Sequence, residues 1–144
     1  MAVLRDNPYG NYNFLVDIGV GDDAGFSEAE LPEGRIEAIE YREGSDKASS
    51  ARKLPGRVSY PNVVLKRGLA GGLELFDWWQ AVRDGTLARR NVTITLLDEQ
   101  RAPVQRWRLR NAWPVRLDAS PLNALGNEVV IETLELAHEG FETE

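Results

Sequence analysis

The chain has few side chains whose types and spacing could do chemistry. Its single histidine, His138, stands beside Glu139 and could in principle move a proton. We interpret it instead as a surface or rim histidine, because it lies near the end of a predicted strand. With one histidine and no cysteine, an ordinary zinc site would need carboxylates for all its other ligands. Adjacent acids such as Asp98 and Glu99 fall in a predicted turn, where solvated carboxylates are common.

The hydroxyl groups and the glycine-rich stretch offer no better candidates for a catalytic site. No serine has a nearby base or a nucleophile-elbow motif around it. The stretch 68–72 precedes a predicted helix like a phosphate loop, but it lacks the Gly-Lys-Ser/Thr ending. We interpret it as a turn into the helix. The sequence therefore predicts no catalytic residue, no metal site, no cofactor and no enzyme.

A row of arginines is the more informative feature. In the strand pattern around 106–110, Trp107 and Leu109 share one face, and Arg106, Arg108 and Arg110 share the other. Either this face is solvated, or it meets a strand lined with carboxylates. A groove for polyanions is disfavoured by the formal net charge of −6, which also argues against general or specific nucleic-acid binding.

The final predicted strand supplies candidate partners for these arginines. They are Glu128, Glu132 and Glu135, with the first two on the opposite face from the third if alternation is strict. Charge is also segregated more widely. Residues 101–116 hold five arginines and no acid, whereas 117–144 hold seven acids and no lysine or arginine. Opposite blocks could pair within one subunit or between neighbouring copies, and we favour the first.

Length and composition bound the class of protein. The 144 residues, 42% of them hydrophobic, suit one soluble globular domain spanning 1–144. No apolar run is long enough to span a membrane, and the first residues show no secretory signal.

Most of the chain follows the two-residue period of strands. The fold class is therefore mainly β, an antiparallel β-barrel or sandwich of six to seven strands with one flanking α-helix. The predicted strands are 12–18, 36–42, 58–67, 91–97, 104–110, 112–117 and 128–138.

One helix is predicted from spacing. Leu75, Trp78, Trp79 and Val82 follow i, i+3, i+4, i+7, and Gly85 stands where a left-handed helix stop is expected. Trp78 or Trp79 should anchor this helix on the sheet, because a buried indole removes a large apolar area from water. The predicted core anchors are Phe14, Trp78, Trp79, Trp107 and Trp113.

An extended polar loop is predicted at 43–56. It is rich in serine and glycine and ends on a Pro-Gly turn signal. Polar segments of this length inside a compact domain are usually functional or disordered. Its charged residues, Glu43, Lys47, Arg52 and Lys53, are candidate interface residues.

Short motifs in collinear order resemble the T4-like phage tail tube family over nearly the whole chain. Each is weak alone, and together they are specific. They are residues 7–16 (NPYGNYNFLV), 25–28 (GFSE), 40–44 (YREG with its preceding Glu), 52–56 (RKLPG), 65–68 (LKRG), 75–79 (LFDWW), 110–114 (RNAWP) and 132–140 (ETLELAHEG).

The resemblance is greatest to inner-tube proteins of contractile injection systems, the phage-tail-like particles. It implies a β-barrel with a flanking helix, related to type VI secretion tube proteins. It also implies hexameric rings stacked into a hollow tube that sheath contraction drives through a target envelope. Implied partners are copies of the chain, a sheath protein, baseplate and tube-capping proteins, and a lumen cargo. Such a protein is made in the bacterial cytoplasm and becomes part of a tail or particle. On this view, the 43–56 loop orders only on contacting an adjacent ring.

A small-ligand-binding β-barrel is the alternative. It requires inward space that Phe14, Trp107, Trp113 and the helix are expected to fill. It predicts a monomer whose stability depends on ligand.

Overall fold

The computed structural model describes residues 5–19 and 23–144, and it is mainly β with one helix, as the sequence predicts. The elements are β1 (Phe14–Asp17), β2 (Asp23–Ala24), β3 (Glu28–Ala29), β4 (Arg35–Tyr41), β5 (Arg52–Ser59), β6 (Val63–Gly68), α1 (Glu74–Arg83), β7 (Arg90–Leu97), β8 (Pro103–Ala119), β9 (Ile131–Ala137) and β10 (Phe141–Thr143).

Eight strands form one antiparallel sheet in the order β2-β1-β7-β8-β9-β6-β3, with β10 added beside β8. Its end strands β2 and β3 are separated in the chain by residues 25–27 alone, so they lie within about 14 Å of each other and the sheet must curl back on itself. In the part of the chain that the structure describes, no ladder joins β2 to β3. The sheet is therefore open, and a sandwich describes it better than a closed barrel.

Strand β8 forms the corner of this sheet. The sequence predicts two strands here with a break, but the structure has one strand bent at Asn111, whose φ is 52°. Asparagine tolerates this left-handed conformation better than most residues do. Before the bend β8 pairs with β7 and β10, and after it with β9, apart from Ala112, which still pairs with Arg90 of β7. A strand that passes from one sheet half to the other in this way is typical of orthogonal packing.

The helix packs on the sheet as the sequence predicts. Leu75 and Trp78 are fully buried, and the Trp78 indole N–H donates to the carbonyl oxygen of Ala88. The guanidinium of Arg90 lies 4.6 Å from the centre of the Trp78 indole, and burial lowers the pKa of Arg90. Gly85 follows the helix with a φ of 93°. The left-handed residue after the last turn ends the helix.

The predicted core anchors differ in depth. Trp78 lies inside the core, whereas Phe14 and Trp107 are partly buried and pack against it from outside. Trp79 and Trp113 are half-buried. Trp79 packs beside Phe76 and under the guanidinium of Arg83. The buried cluster is otherwise aliphatic, formed by Val16, Ile18, Val63, Leu65, Leu75, Val92, Ile94, Leu109, Ala112, Leu134 and Leu136.

Two strand predictions are wrong in their boundaries, and one strand at the C-terminal side was not predicted. The strand predicted over 58–67 is two strands in different sheets, separated by Tyr60-Pro61-Asn62. Pro61 lacks the N–H that a continuous ladder needs. The final strand begins at Ile131, so Glu128 lies outside it. After the left-handed Gly140 the chain adds β10, which the sequence analysis missed.

Candidate assembly surface

The predicted polar loop lies within a β-hairpin, and its last residues, 52–56, belong to a strand. Strands β4 and β5 pair with each other and with no other strand of the described chain. Ile36 lies opposite Val58 and Ile39 lies opposite Leu54, with an irregularity between Ile36 and Ala38. The prediction of a loop over all of 43–56 is therefore wrong from Arg52 onward. A Pro-Gly pair usually signals a turn, but an edge strand with a bulge accepts both residues.

The hairpin exposes apolar side chains to solvent. Ile36 is 63% exposed, Val58 54%, and Ile39 and Leu54 47% each. Residues directly opposite each other in an antiparallel pair share a face, so each of these two pairs forms an apolar contact across the ribbon. An isolated two-stranded hairpin is marginally stable in water at best. We therefore expect contact with another protein surface to cover these aliphatic side chains.

The hairpin tip is closed by hydrogen bonds within the chain. The Glu43 N–H donates to the Asp46 carboxylate at 2.9 Å, and the Asp46 N–H donates to the Glu43 carbonyl oxygen at 3.0 Å. The Arg42 Nε donates to the Ala48 carbonyl oxygen at 3.1 Å. These contacts define the conformation of the segment within one chain, and the expectation that it orders only on contact with another ring stays a prediction.

Contacts between charged and aromatic side chains continue from the hairpin tip into the strands. The Arg52 guanidinium lies 5.5 Å from the centre of the Tyr41 ring and 3.7 Å from the Asp46 carboxylate. The Tyr41 hydroxyl donates to the Glu43 carboxylate at 2.8 Å, which raises the pKa of Tyr41. By contrast, Lys47 and Lys53 are exposed and form no ion pair in the described chain.

The base of the hairpin is held by the C-terminal residues. His138 is buried, with 8% of its surface exposed, so its interpretation as a surface or rim residue is wrong. Its Nε2 lies 3.1 Å from the Pro61 carbonyl oxygen, which can only accept, so Nε2 donates. In the neutral ring, Nδ1 then accepts from the Gly140 N–H at 3.2 Å. The Tyr60 ring packs against both His138 and Phe141.

One of the row of arginines finds its partner just after β10 rather than on the final predicted strand. Arg108 Nη2 lies 2.6 Å from Glu144 Oε1. Arg106 and Arg110 form no ion pair among the described residues, and Arg110 is exposed. A three-residue strand at the chain end has too little pattern to be predicted, so this partner was missed.

The three predicted glutamate partners separate. Glu132 is buried and lies 3.1 Å from Arg67 Nη2, and Arg67 also contacts Glu74 at the start of the helix. Glu135 accepts from Asn62 at 2.9 Å and from Arg116 at 3.1 Å. Both hydrogen bonds, that from Asn62 first, lower the pKa of Glu135.

Of the three, Glu128 alone is left without a partner. It is exposed, and no ion pair within the described residues involves it. The ion pairs formed by Glu132, Glu135 and Glu144 agree with the interpretation that opposite charges pair inside one subunit. Any role of these charges between copies stays a prediction.

An open groove of about 1090 Å³ lies beside the sheet. Phe14, Ile94 and Trp107 line it together with charged residues that include Lys66 and Arg116. Phe14 and Trp107 therefore border a space that the sequence analysis expected them to fill. Among the residues that the structure describes, no three His, Asp or Glu side chains are placed to hold a metal ion. No helix in the same residues is long and apolar enough to cross a membrane.

Comparison with known families decides what kind of protein presents this surface. The model of the family described as T4-like virus tail tube protein gp19 matches residues 10–142. The chain belongs to this family. No sequence among curated proteins matches it.

Solved structures agree with the tail tube family in fold. A chain in the six-fold symmetrised baseplate of the anti-feeding prophage is 29% identical, with a TM-score of 0.87 and 97% of each chain covered. A chain in the extended sheath–tube complex of the extracellular contractile injection system PVC is 24% identical, with a TM-score of 0.85, covering 95% of this chain and 91% of that one. A type six secretion system protein is 10% identical, with a TM-score of 0.56, covering 92% and 82%.

These findings confirm the predicted family and the mainly β fold class. The chain has the role of its family, that of a structural tube subunit. Its similar structures are components of assembled injection particles. The exposed hairpin, with Lys47 and Lys53, and the unpaired Glu128 thus lie on the surface of a tail tube protein.

Proposed function

We propose that this tail tube protein, as a single domain, forms hexameric rings that stack into the hollow inner tube of a contractile injection system. The sheath surrounds this tube, a baseplate starts it and a cap protein ends it. Contraction of the sheath drives the tube through a target envelope. Support comes from the family match over 10–142 and from the 29% identical chain in a six-fold symmetrised baseplate.

The proposal is supported most strongly by the exposure of the β4–β5 hairpin. It pairs with no other strand of the described chain and exposes four large aliphatic side chains. A monomeric protein rarely maintains such a ribbon, because its surface favours pairing with other chains. In a stacked tube the same ribbon becomes an intersubunit contact.

The remaining interface candidates fit this assembly to different degrees. Arg106, Arg110 and Glu128 have no ion-pair partner among the described residues, so they are available to a neighbouring copy. Glu132 and Glu135 are committed to Arg67 and Arg116 within the chain, which makes them poorer candidates. Arg52, Glu43, Lys47 and Lys53 enter the contact as parts of the hairpin.

The role is structural rather than catalytic, and it needs no cofactor. The chain is made in the bacterial cytoplasm and then becomes part of a tail or particle. A hollow tube leaves room for a cargo in its lumen. The net charge of −6 makes specific nucleic-acid binding an unsuitable task for it.

The open groove beside Phe14 and Trp107 favours one second candidate, a protein that binds a small apolar ligand. Sedimentation velocity at rising concentration separates the two. The tube proposal predicts stepwise growth to large species. A monomer peak that stays fixed, combined with ligand-dependent stability, would favour the ligand-binding protein.

A further inference from the structure

The hairpin and one exposed loop lie at opposite ends of the same pair of strands. Strand β6 begins just after the hairpin base and ends at Gly68, beside residues 120–130. Its partner β9 runs the other way, from this loop at Ile131 to the turn that holds Pro61. Six paired residues at about 3.3 Å each separate the two ends by roughly 20 Å. The hairpin base and the loop therefore lie at opposite ends of the β6–β9 pair.

Residues 120–130, the receiving loop, have a fixed shape. The Asn123 side chain accepts from the Leu125 N–H at 3.0 Å, and the Asn123 carbonyl oxygen accepts from the Gly126 N–H. At the base of the loop, the Ile131 N–H donates to the Ser120 hydroxyl at 2.9 Å. The loop is thus a built surface rather than a loose connection.

The receiving loop is apolar, and its one charged group is acidic. Leu125 is 98% exposed, Leu122 86% and Val129 74%. Leucines so fully exposed on a loop of fixed shape are unusual when they lie close together. Glu128 supplies the one carboxylate of the loop and forms no ion pair in the described part of the chain.

The hairpin has the complementary character. Over residues 35–59 the hairpin holds six basic and four acidic residues, a net charge of +2. Lys47, Lys53 and Arg57 are exposed and have no ion-pair partner in the described residues, and the same holds for Glu37 and Glu40. Each surface therefore combines exposed aliphatic groups with unpaired charge, which is net basic on the hairpin and acidic on the receiving loop. Complementary charge fixes the register of an interface and disfavours wrong partners.

We propose that the β4–β5 hairpin of one copy docks on the receiving loop of the next copy along the tube. The proposal rests on the proposed tube function and names the acceptor surface within it. Because the two surfaces are different patches at opposite ends of the β6–β9 pair, each copy offers a donor on one side and an acceptor on the other. Such a head-to-tail contact repeats without closing, which is the geometry of a growing stack.

Zero-length carbodiimide cross-linking of assembled tubes tests the contact directly. The reagent joins lysine amines to carboxylates that touch, and the chain has lysine only at 47, 53 and 66. Tubes grown from equal parts of ¹⁵N-labelled and unlabelled chain distinguish links between copies by mass spectrometry. We expect Lys47 or Lys53 joined to Glu128 in mixed-isotope pairs. Glu128→Gln should remove this product, whereas Glu142→Gln, which changes another exposed carboxylate, should keep it.

Leucine substitutions provide a second measurement. Leu125→Ser should raise the concentration at which tubes form by about tenfold or more, because it removes one buried leucine from every contact. Leu87→Ser is the matched control, since Leu87 is 85% exposed and lies outside both surfaces. Neither residue is part of the core, so the monomers of both variants should melt as the wild type does.

The outcomes distinguish a failure of the docking proposal from a failure of the proposed tube function. Electron micrographs of the same samples report whether tubes are present. If tubes form, but the hairpin lysines link to other carboxylates and Leu125→Ser assembles like Leu87→Ser, the docking proposal is overturned and the tube function stands. If no tubes form under any condition, the tube function fails and the docking proposal fails with it.

Discussion

The Phe141 ring meets the Tyr60 ring edge-on, with centroids 6.0 Å apart and planes at 82°. Tyr60 follows the last residue of the hairpin, and Phe141 begins the C-terminal strand β10. Together with the hydrogen bond from His138 to Pro61, this contact fixes the direction in which the hairpin leaves the sheet. A strand at the chain end thus orients the surface that we assign to assembly.

Phe141→Ala should therefore impair assembly more than folding. The substitution removes the edge-to-face contact at the hairpin base, and it leaves every residue of the buried core in place. We expect a melting temperature within a few degrees of wild type by circular dichroism, and a clear fall in the sedimenting fraction. Tyr60→Phe keeps the ring pair and serves as the control. Equal sedimentation of Phe141→Ala and wild type would contradict this role.

Two adjacent tryptophans test how the helix is anchored. Trp78→Ala should lower the free energy of unfolding by about 3–5 kcal/mol, because it leaves a large cavity in the core. Trp79→Ala should cost clearly less, since Trp79 is half-buried and packs against Phe76 and Arg83. Urea unfolding followed by circular dichroism measures both. Equal losses would mean that both indoles anchor the helix.

The buried pair of Arg67 and Glu132 should show strong coupling. Arg67→Met leaves Glu132 buried without its partner, which costs about 3–5 kcal/mol, whereas after Glu132→Gln Arg67 keeps its contact with Glu74. We expect Arg67→Met to lower stability strongly and Glu132→Gln to lower it less, and the double variant to recover part of the loss from Arg67→Met. A double-mutant cycle from urea unfolding measures the coupling. Additive losses would show that the two groups act independently.

Stability should fall in acid partly through Glu135. Hydrogen bonds from Asn62 and Arg116 hold its pKa below the ordinary glutamate value of 4.5. A carboxylate with a lowered pKa stabilises the fold above its ordinary pKa, and this contribution is lost as the pH falls through the lowered value. Glu135→Gln should thus melt below wild type near neutral pH. The two melting curves should converge as the pH falls below 4.5.

Glu74 and Glu99 provide the background for that comparison. Hydrogen bonds from Arg67 and Arg5, respectively, lower their pKa values, so both add to the same acid-dependent loss in wild type and in Glu135→Gln. The difference between the two proteins therefore reports Glu135. A gap in melting temperature that stays constant down to the lowest pH would contradict its assigned pKa.

Shortening the hairpin tests its role without touching the core. Ile39 lies directly opposite Leu54, so residues 40–53 can be replaced by Asn-Gly in register. We expect a folded monomer that no longer sediments as large species. Circular dichroism and sedimentation velocity measure the two properties. Normal assembly of this variant would remove the hairpin from the interface.

Local pattern explains which features could be predicted from the sequence. The helix could be predicted from the spacing of Leu75 and Trp78 and from Gly85, because these signals lie close together in the sequence. Strands with a buried face, such as β7 and β9, show alternation for the same reason. The family followed from collinear motifs rather than from any site.

What the sequence could not reveal depends on distant partners. The burial of His138 is caused by Pro61, far away in the chain. The Arg108–Glu144 pair needs β10, which is too short to show a period. The sequence predicts a loop over Arg52–Gly56 because a Pro-Gly pair usually ends a strand, and only an edge position accepts it. The interface residues remain predictions, because they concern contacts between copies.

Negative-stain electron microscopy of the purified, concentrated chain across a salt series shows directly whether it forms a hexameric tube. We expect stacked tubes whose end-on averages show a hollow centre and six-fold symmetry, with yield changing with salt. Monomers at every salt and concentration, or rings with a different number of subunits, would contradict the proposed hexameric tube.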